Sequence, residues 1–203
     1  MLKENDRIVF LGDSITEQGA LPNGYISIIR QRLAEKYPSV EIIGAGVSGN
    51  KIADLQGRVD KDVIAKNPTI VFIYIGINDV WHWILPGAKG TTPEDFESGL
   101  KEVIGKIQNA GAKVILCTPS VIGERSDGSN QLDKELDQYS DISRKVAKEM
   151  DCSLLDLRKD FIKELARINT DQKEEGILTV DGVHLNVIGN LFVAQRMLEM
   201  LGM

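Results

Sequence analysis

The chain has 203 residues, of which 42% are hydrophobic and 27% charged, with a formal net charge of −6. That is enough apolar sequence for one sizeable core, and a single domain over residues 1–203 is the expectation. Lys and Arg are scattered among Asp and Glu, so no basic face marks a nucleic-acid binder, and no apolar run is long enough to span a bilayer.

The start, Met1 to Asp6, is polar and carries no apolar signal region, so a cytoplasmic protein is the simplest expectation. Arg7 to Leu11 reads as a short buried strand that stops at Gly12. A polar turn follows, Asp13-Ser14-Ile15-Thr16-Glu17. Tyr25, Ile28, Ile29 and Leu33 keep helical spacing, which predicts a helix from Tyr25 to Tyr37 stopped by Pro38. Val40 to Ala45 is a second strand, followed by Gly46-Val47-Ser48-Gly49-Asn50. Ile52, Leu55, Val59 and Val63 line one face of the next helix.

Thr69 to Ile75 is almost wholly β-branched or aromatic, as suits a central parallel strand buried on both faces. It ends in Gly76-Ile77-Asn78-Asp79, and a loop carrying Trp81, His82 and Trp83 follows. Thr92-Pro93-Glu94-Asp95 combines a cap, a first-turn proline and acids at the positive end of a helix. Lys113 to Cys117 is a fourth strand and Ser153 to Leu157 a short fifth, with a helix through Leu132, Leu136, Tyr139, Ile142 and Val146 between them. Phe161, Ile162, Leu165 and Ile168 mark another helix, and Asn169 to Val183 is polar and irregular. A last helix, Asn186 to Leu201, carries Ile188, Leu191, Phe192 and Leu198. Strands alternating with helices imply a parallel sheet covered on both faces through right-handed crossovers. Two cysteines, Cys117 and Cys152, make no disulfide framework, although a bridge between them stays open.

Three strand-end turns then gather at one edge of that sheet, where open α/β folds bind their ligands. Ester hydrolysis needs a serine activated by a base, a carboxylate to orient that base, and donors for the oxyanion. Ser14 is the candidate nucleophile, His184 the candidate base and Asp181, three residues earlier, the candidate carboxylate. The Ser14 and Gly49 N–H groups and the Asn78 side-chain amide are candidate oxyanion donors. Asp13 and Asp79 read as structural, holding their turns through side-chain-to-backbone hydrogen bonds.

At these residues the sequence resembles the SGNH hydrolases, also called the GDSL esterase/lipase family. The matching motifs are Gly-Asp-Ser-Ile at Ser14, Val-Ser-Gly-Asn at Gly49, Gly-Ile-Asn-Asp at Asn78 and Asp-Gly-Val-His at His184, with Ile15 where the family name has leucine. The resemblance implies a three-layer, flavodoxin-like α/β/α sandwich around a mostly parallel five-stranded sheet. It further implies hydrolysis through an acyl-serine, with no metal or organic cofactor. Ser14, Asp181 and His184 would be the triad, and Ser14, Gly49 and Asn78 the oxyanion hole. A small acyl ester, acetyl above all, would be the substrate, with carbohydrate deacetylation as a special case.

Alternatives stay open at this level. Ser48 in Gly-Val-Ser-Gly nearly makes a nucleophile elbow. Asp13, Asp79, Asp181 and His184 could instead ligate a divalent metal for phosphoester hydrolysis. A lysophospholipase or thioesterase acting on longer acyl chains, and a non-catalytic flavodoxin-like binding module, are the other readings. Trp81 is a candidate substrate-binding residue; it and Trp83 could wall an acyl or sugar pocket, cover the sheet edge, or face a partner chain in a homo-oligomer.

Overall fold

The apolar runs become five strands, β1 (Arg7–Gly12), β2 (Glu41–Gly46), β3 (Ile70–Tyr74), β4 (Lys113–Cys117) and β5 (Ser153–Leu155), in a computed structural model that describes residues 2–203. All are parallel and ordered β2-β1-β3-β4-β5, the doubly wound order of flavodoxin-like folds. Every residue of β3 is buried, as its unbroken β-branched run requires, and β1 is buried from Ile8 onward. Phe10 and Phe72 sit opposite each other in register with rings stacked 4.9 Å apart. Burial of each such side chain contributes about 1.5–3 kcal/mol.

The helices are α1 (Ser14–Gly19), α2 (Tyr25–Ala34), α3 (Ile52–Asp62), α4 (Ile77–Trp81), α5 (Pro93–Asn109), α6 (Asp133–Glu149), α7 (Leu157–Ile168) and α8 (Val187–Met200). α3, α5 and α6 pack side by side over one face of the sheet. α2 packs on α8 over the other, and Phe161 of α7 meets Phe192 of α8 edge-on at 5.2 Å. The start of α5 is built as its sequence predicts, with Pro93 in the first turn and the Thr92 hydroxyl accepting the Asp95 N–H.

Four details differ from the sequence reading. The polar turn after β1 is helix α1, with Ser14 as its first residue. The segment after β3 is likewise helical, so Asn78 lies in α4 and not in a turn. α2 ends at Ala34, before the expected Tyr37, because residues 35–36 form a turn ahead of Pro38. In α8, Ile188 and Leu191 face outward, and Val193, Ala194, Met197 and Leu198 form the inner face. Cys117 and Cys152 are both free thiols.

Candidate active site

The carboxyl ends of β1, β2 and β3 meet because the strands are parallel and adjacent, with Gly12 level with Gly46 on one side and Tyr74 on the other. α1 then runs very close to these ends. A Cβ at Gly12 would come 2.2 Å from the Thr16 hydroxyl, and one at Gly46 2.1 Å from the Glu17 nitrogen. The glycines let the helix bearing Ser14 settle directly on the strand ends. Asp13 caps that helix by accepting the Ile15 N–H.

Ser14 is partly exposed, and its Oγ lies 2.9 Å from His184 Nε2. His184 Nδ1 lies 2.7 Å from Asp181 Oδ2. With the proton on Nδ1, the imidazole donates to the carboxylate and accepts the Ser14 hydroxyl. The other Asp181 oxygen accepts the N–H groups of Val183 and His184, so the carboxylate and imidazole are locked into one turn. Partial burial works to raise the Asp181 carboxyl, but the His184 ring and the two amides outweigh it and hold the group below its usual range. Upstream, buried Glu124 fastens the same segment, its carboxylate accepting the N–H groups of Ile177, Leu178 and Thr179 at 2.7, 2.5 and 2.7 Å.

The donor side is equally organised. As the first residue of α1, Ser14 has an N–H without an intrahelical acceptor. Gly49 adopts φ +77°, a conformation that favours glycine, in the loop after β2. Asn78 is buried, and its side-chain Nδ2 donates one bond, to the Asn50 carbonyl at 3.0 Å, which leaves its second proton free. The sequence-level candidates Ser14, Asp181 and His184 are thus joined by direct hydrogen bonds.

Trp81 stands beside them, its ring 6.5 Å from the His184 ring. It also walls a cavity of about 220 Å³ shared with Asn130, Gln131, Glu174, Glu175, Asp181 and Gly182. Trp83 is about half exposed farther along the loop.

The rival arrangements fare differently. The Ser48 hydroxyl is bound to the Glu17 carboxylate, which also accepts the Ser48 N–H, so this serine braces the Gly49 loop. Asp13 and Asp79 are buried, accepting the N–H groups of Ile15 and Ile52 respectively. Among the described residues, no three His, Cys, Asp or Glu side chains are grouped so as to hold a metal ion. Sequence reasoning missed Glu17 and Glu124, since a lone charged residue on a helix or loop carries no spacing signal.

Comparison with known proteins gives a consistent result. Residues 10–191 match the GDSL-like lipase/acylhydrolase family. An acetylxylan esterase of Geobacillus stearothermophilus is 30% identical, over 97% of this chain and 94% of its own. The crystal structure of the acetyl xylan esterase AlAXEase superposes with a TM-score of 0.93 at 46% identity, covering 96% of this chain and 98% of its own. Solved catalytic mutants of the Geobacillus enzyme each replace a serine, an aspartate or a histidine by alanine, at 27–28% identity, covering 99–100% of this chain and 96% of their own, with TM-scores of 0.84–0.88.

Proposed function

Because the chain belongs to the GDSL-like lipase/acylhydrolase family and is an ester hydrolase, we propose that it removes acetyl groups from carbohydrates, with residues 1–203 acting as one domain. The observation that carries the catalytic assignment is the unbroken relay from Ser14 Oγ through His184 to Asp181. His184 Nε2 takes the Ser14 proton as Oγ attacks the ester carbonyl. Negative charge gathers on the former carbonyl oxygen, where the Ser14 and Gly49 N–H groups and the free Asn78 amide proton receive it. Collapse breaks the bond to the alcohol oxygen, and His184 returns its proton to that leaving group. Water, deprotonated by His184, then attacks the acetyl-Ser14 ester, and acetate leaves as Ser14 regains its proton.

The leaving alcohol must lie on the His184 side, where Trp81 stands, and Trp81 also walls the cavity that borders Asp181. That cavity is smaller than the ~300 Å³ at which ordinary ligand pockets begin, and amides and carboxylates line much of it. An aromatic wall with hydrogen-bonding groups suits a sugar ring better than an alkyl chain. The relatives' acetylxylan specificity supports the same reading.

The test is hydrolysis of p-nitrophenyl esters of increasing acyl length beside a set of acetylated xylo-oligosaccharides. Acetyl esters should be preferred. Ser14→Ala should lower kcat by about 10⁴-fold or more and abolish labelling by a fluorophosphonate, while Ser48→Ala keeps both. Preference for long acyl chains would overturn the substrate reading, and retained hydrolysis in Ser14→Ala would overturn the nucleophile.

A further inference from the structure

Arg58 is a helix residue with no place in the relay, yet three of its four hydrogen bonds go to the segments that carry the site. Its side chain is only 15% exposed. Nη2 donates to the Gly12 carbonyl at 2.7 Å, two residues before Ser14. Nη1 donates to the Ala45 carbonyl at the end of β2, at 2.9 Å, and to Asp62 on its own helix at 3.1 Å. Nε donates to the side-chain Oδ1 of Asn50 at 2.7 Å. Asn50 in turn follows Gly49 directly, and its backbone carbonyl is the acceptor that holds the Asn78 amide.

From this connectivity we propose that Arg58 is the positioning residue of the oxyanion hole, acting through Asn50 on Asn78. The inference rests on Asn78 being an oxyanion donor, as proposed above. An oxyanion donor works only if it is aimed before the reaction begins. Asn78 has one of its amide protons fixed by the Asn50 carbonyl, so the direction of the other depends on where that carbonyl lies. That carbonyl belongs to Asn50, which closes the exposed stretch Val47, Ser48 and Gly49; Glu17 braces the stretch at Ser48, but not at Asn50 itself. Arg58 fixes that end of the loop by tying Asn50 to the ends of β1 and β2 at once. A planar guanidinium can serve these acceptors together because its donors are held in a fixed fork. A lysine carries the same charge but cannot span all of them.

The test is a double-mutant cycle on a soluble acetyl ester, using Arg58→Lys, Asn78→Ala and the pair. Asn78→Ala is expected to lower kcat by about 10²-fold, the usual effect of removing one oxyanion donor. Arg58→Lys is expected to lower kcat by about tenfold with KM within about twofold, and to leave the midpoint of the kcat–pH profile unchanged, because the Ser14–His184–Asp181 relay is untouched. In the Asn78→Ala background the same change should cost less than about twofold, since the group through which Arg58 acts is gone. Asn50→Ala removes only the side-chain acceptor and should reproduce the Arg58→Lys loss, which keeps the proposal open to test if the arginine variant folds poorly. An equal fold-loss from Arg58→Lys in both backgrounds, or a change confined to KM, overturns the inference alone. Wild-type activity in Asn78→Ala overturns the oxyanion assignment and the inference with it.

Discussion

Asp13 and Asp79 flank the two motif residues Ser14 and Asn78, and both are buried. Burial pushes the Asp13 carboxyl up to about 7, against the opposing Ile15 N–H, and the nearby charge of Asp79 adds to the rise. Burial likewise pushes Asp79 up to about 6, and its Oδ2 has no hydrogen-bond partner among the described residues. A carboxyl raised in the folded state binds its proton more tightly there than in the unfolded chain. Its stabilising contribution is therefore full below the unfolded value near 3.8 and is lost as pH rises through about 7 for Asp13. Asp13→Asn keeps an oxygen for the Ile15 N–H and removes the titration. It should raise the melting temperature at pH 8 by several degrees more than at pH 4, as thermal unfolding at the two pH values would show, at about 2–4 °C per kcal/mol for a chain of this size. An equal change at both would contradict a buried, pH-dependent charge. Asp181 works in the opposite sense, since its carboxylate is held ionised beside His184. Asp181→Asn should leave the fold intact and lower kcat on an acetyl ester by about 10⁴-fold, because the imidazole loses the partner that fixes its tautomer.

At the scale of elements, α8 shows how packing overrides apolar spacing. The helix is apolar nearly all round, so its sequence offers more than one face for burial. Gly189 decides the rotation. A Cβ there would lie 1.9 Å from the Leu178 carbonyl, so α8 presents this bare position to the segment leading into Asp181 and His184. Ile188 and Leu191 consequently point outward, 59% and 50% exposed, and Met197 and Val193 point inward. Replacing Ile188 or Leu191 by Ser should change stability by no more than about 0.5 kcal/mol, whereas Met197→Ala should cost about 2–5 kcal/mol, measured by urea unfolding. A large loss at Ile188 or Leu191 would restore the face expected from spacing.

Across the whole molecule, the site depends on joining residues 170 positions apart, Ser14 and His184. The first opens α1 just past the end of β1. The second lies on a loop, and Glu124, from the connection after β4, anchors that loop through three backbone N–H groups. Hydrogen bonds to a charged group are worth about 1.5–3 kcal/mol each, and an amide in place of the carboxylate would set an N–H against an N–H. Glu124→Gln should therefore lower stability by about 2 kcal/mol and speed hydrogen exchange in residues 174–186, while β1 and β3 stay protected. Unchanged exchange in that segment would show that the loop holds itself.

The alternating apolar runs and helical periods were enough to read the five strands, the longer helices and the parallel, doubly covered sheet, because burial on two faces imposes an unbroken apolar strand and burial on one imposes a helical stripe. The candidates Ser14, Asp181 and His184 stood out as polar residues beside glycines against those runs, and the structure joins the three by hydrogen bonds. Short helices α1 and α4 were not, because five or six residues hold too little periodicity to separate a helical turn from a loop. Nor were Glu17, Arg58 and Glu124, each a single charge with a partner 31 to 55 residues away that no local spacing marks, or the outward turn of Ile188. Sequence spacing records which face of an element is apolar. Only the packed molecule decides which distant carbonyls, amides and glycines that face must meet, and here those meetings join the Ser14 hydroxyl to the His184 imidazole and seat the Asn78 amide on the Asn50 carbonyl.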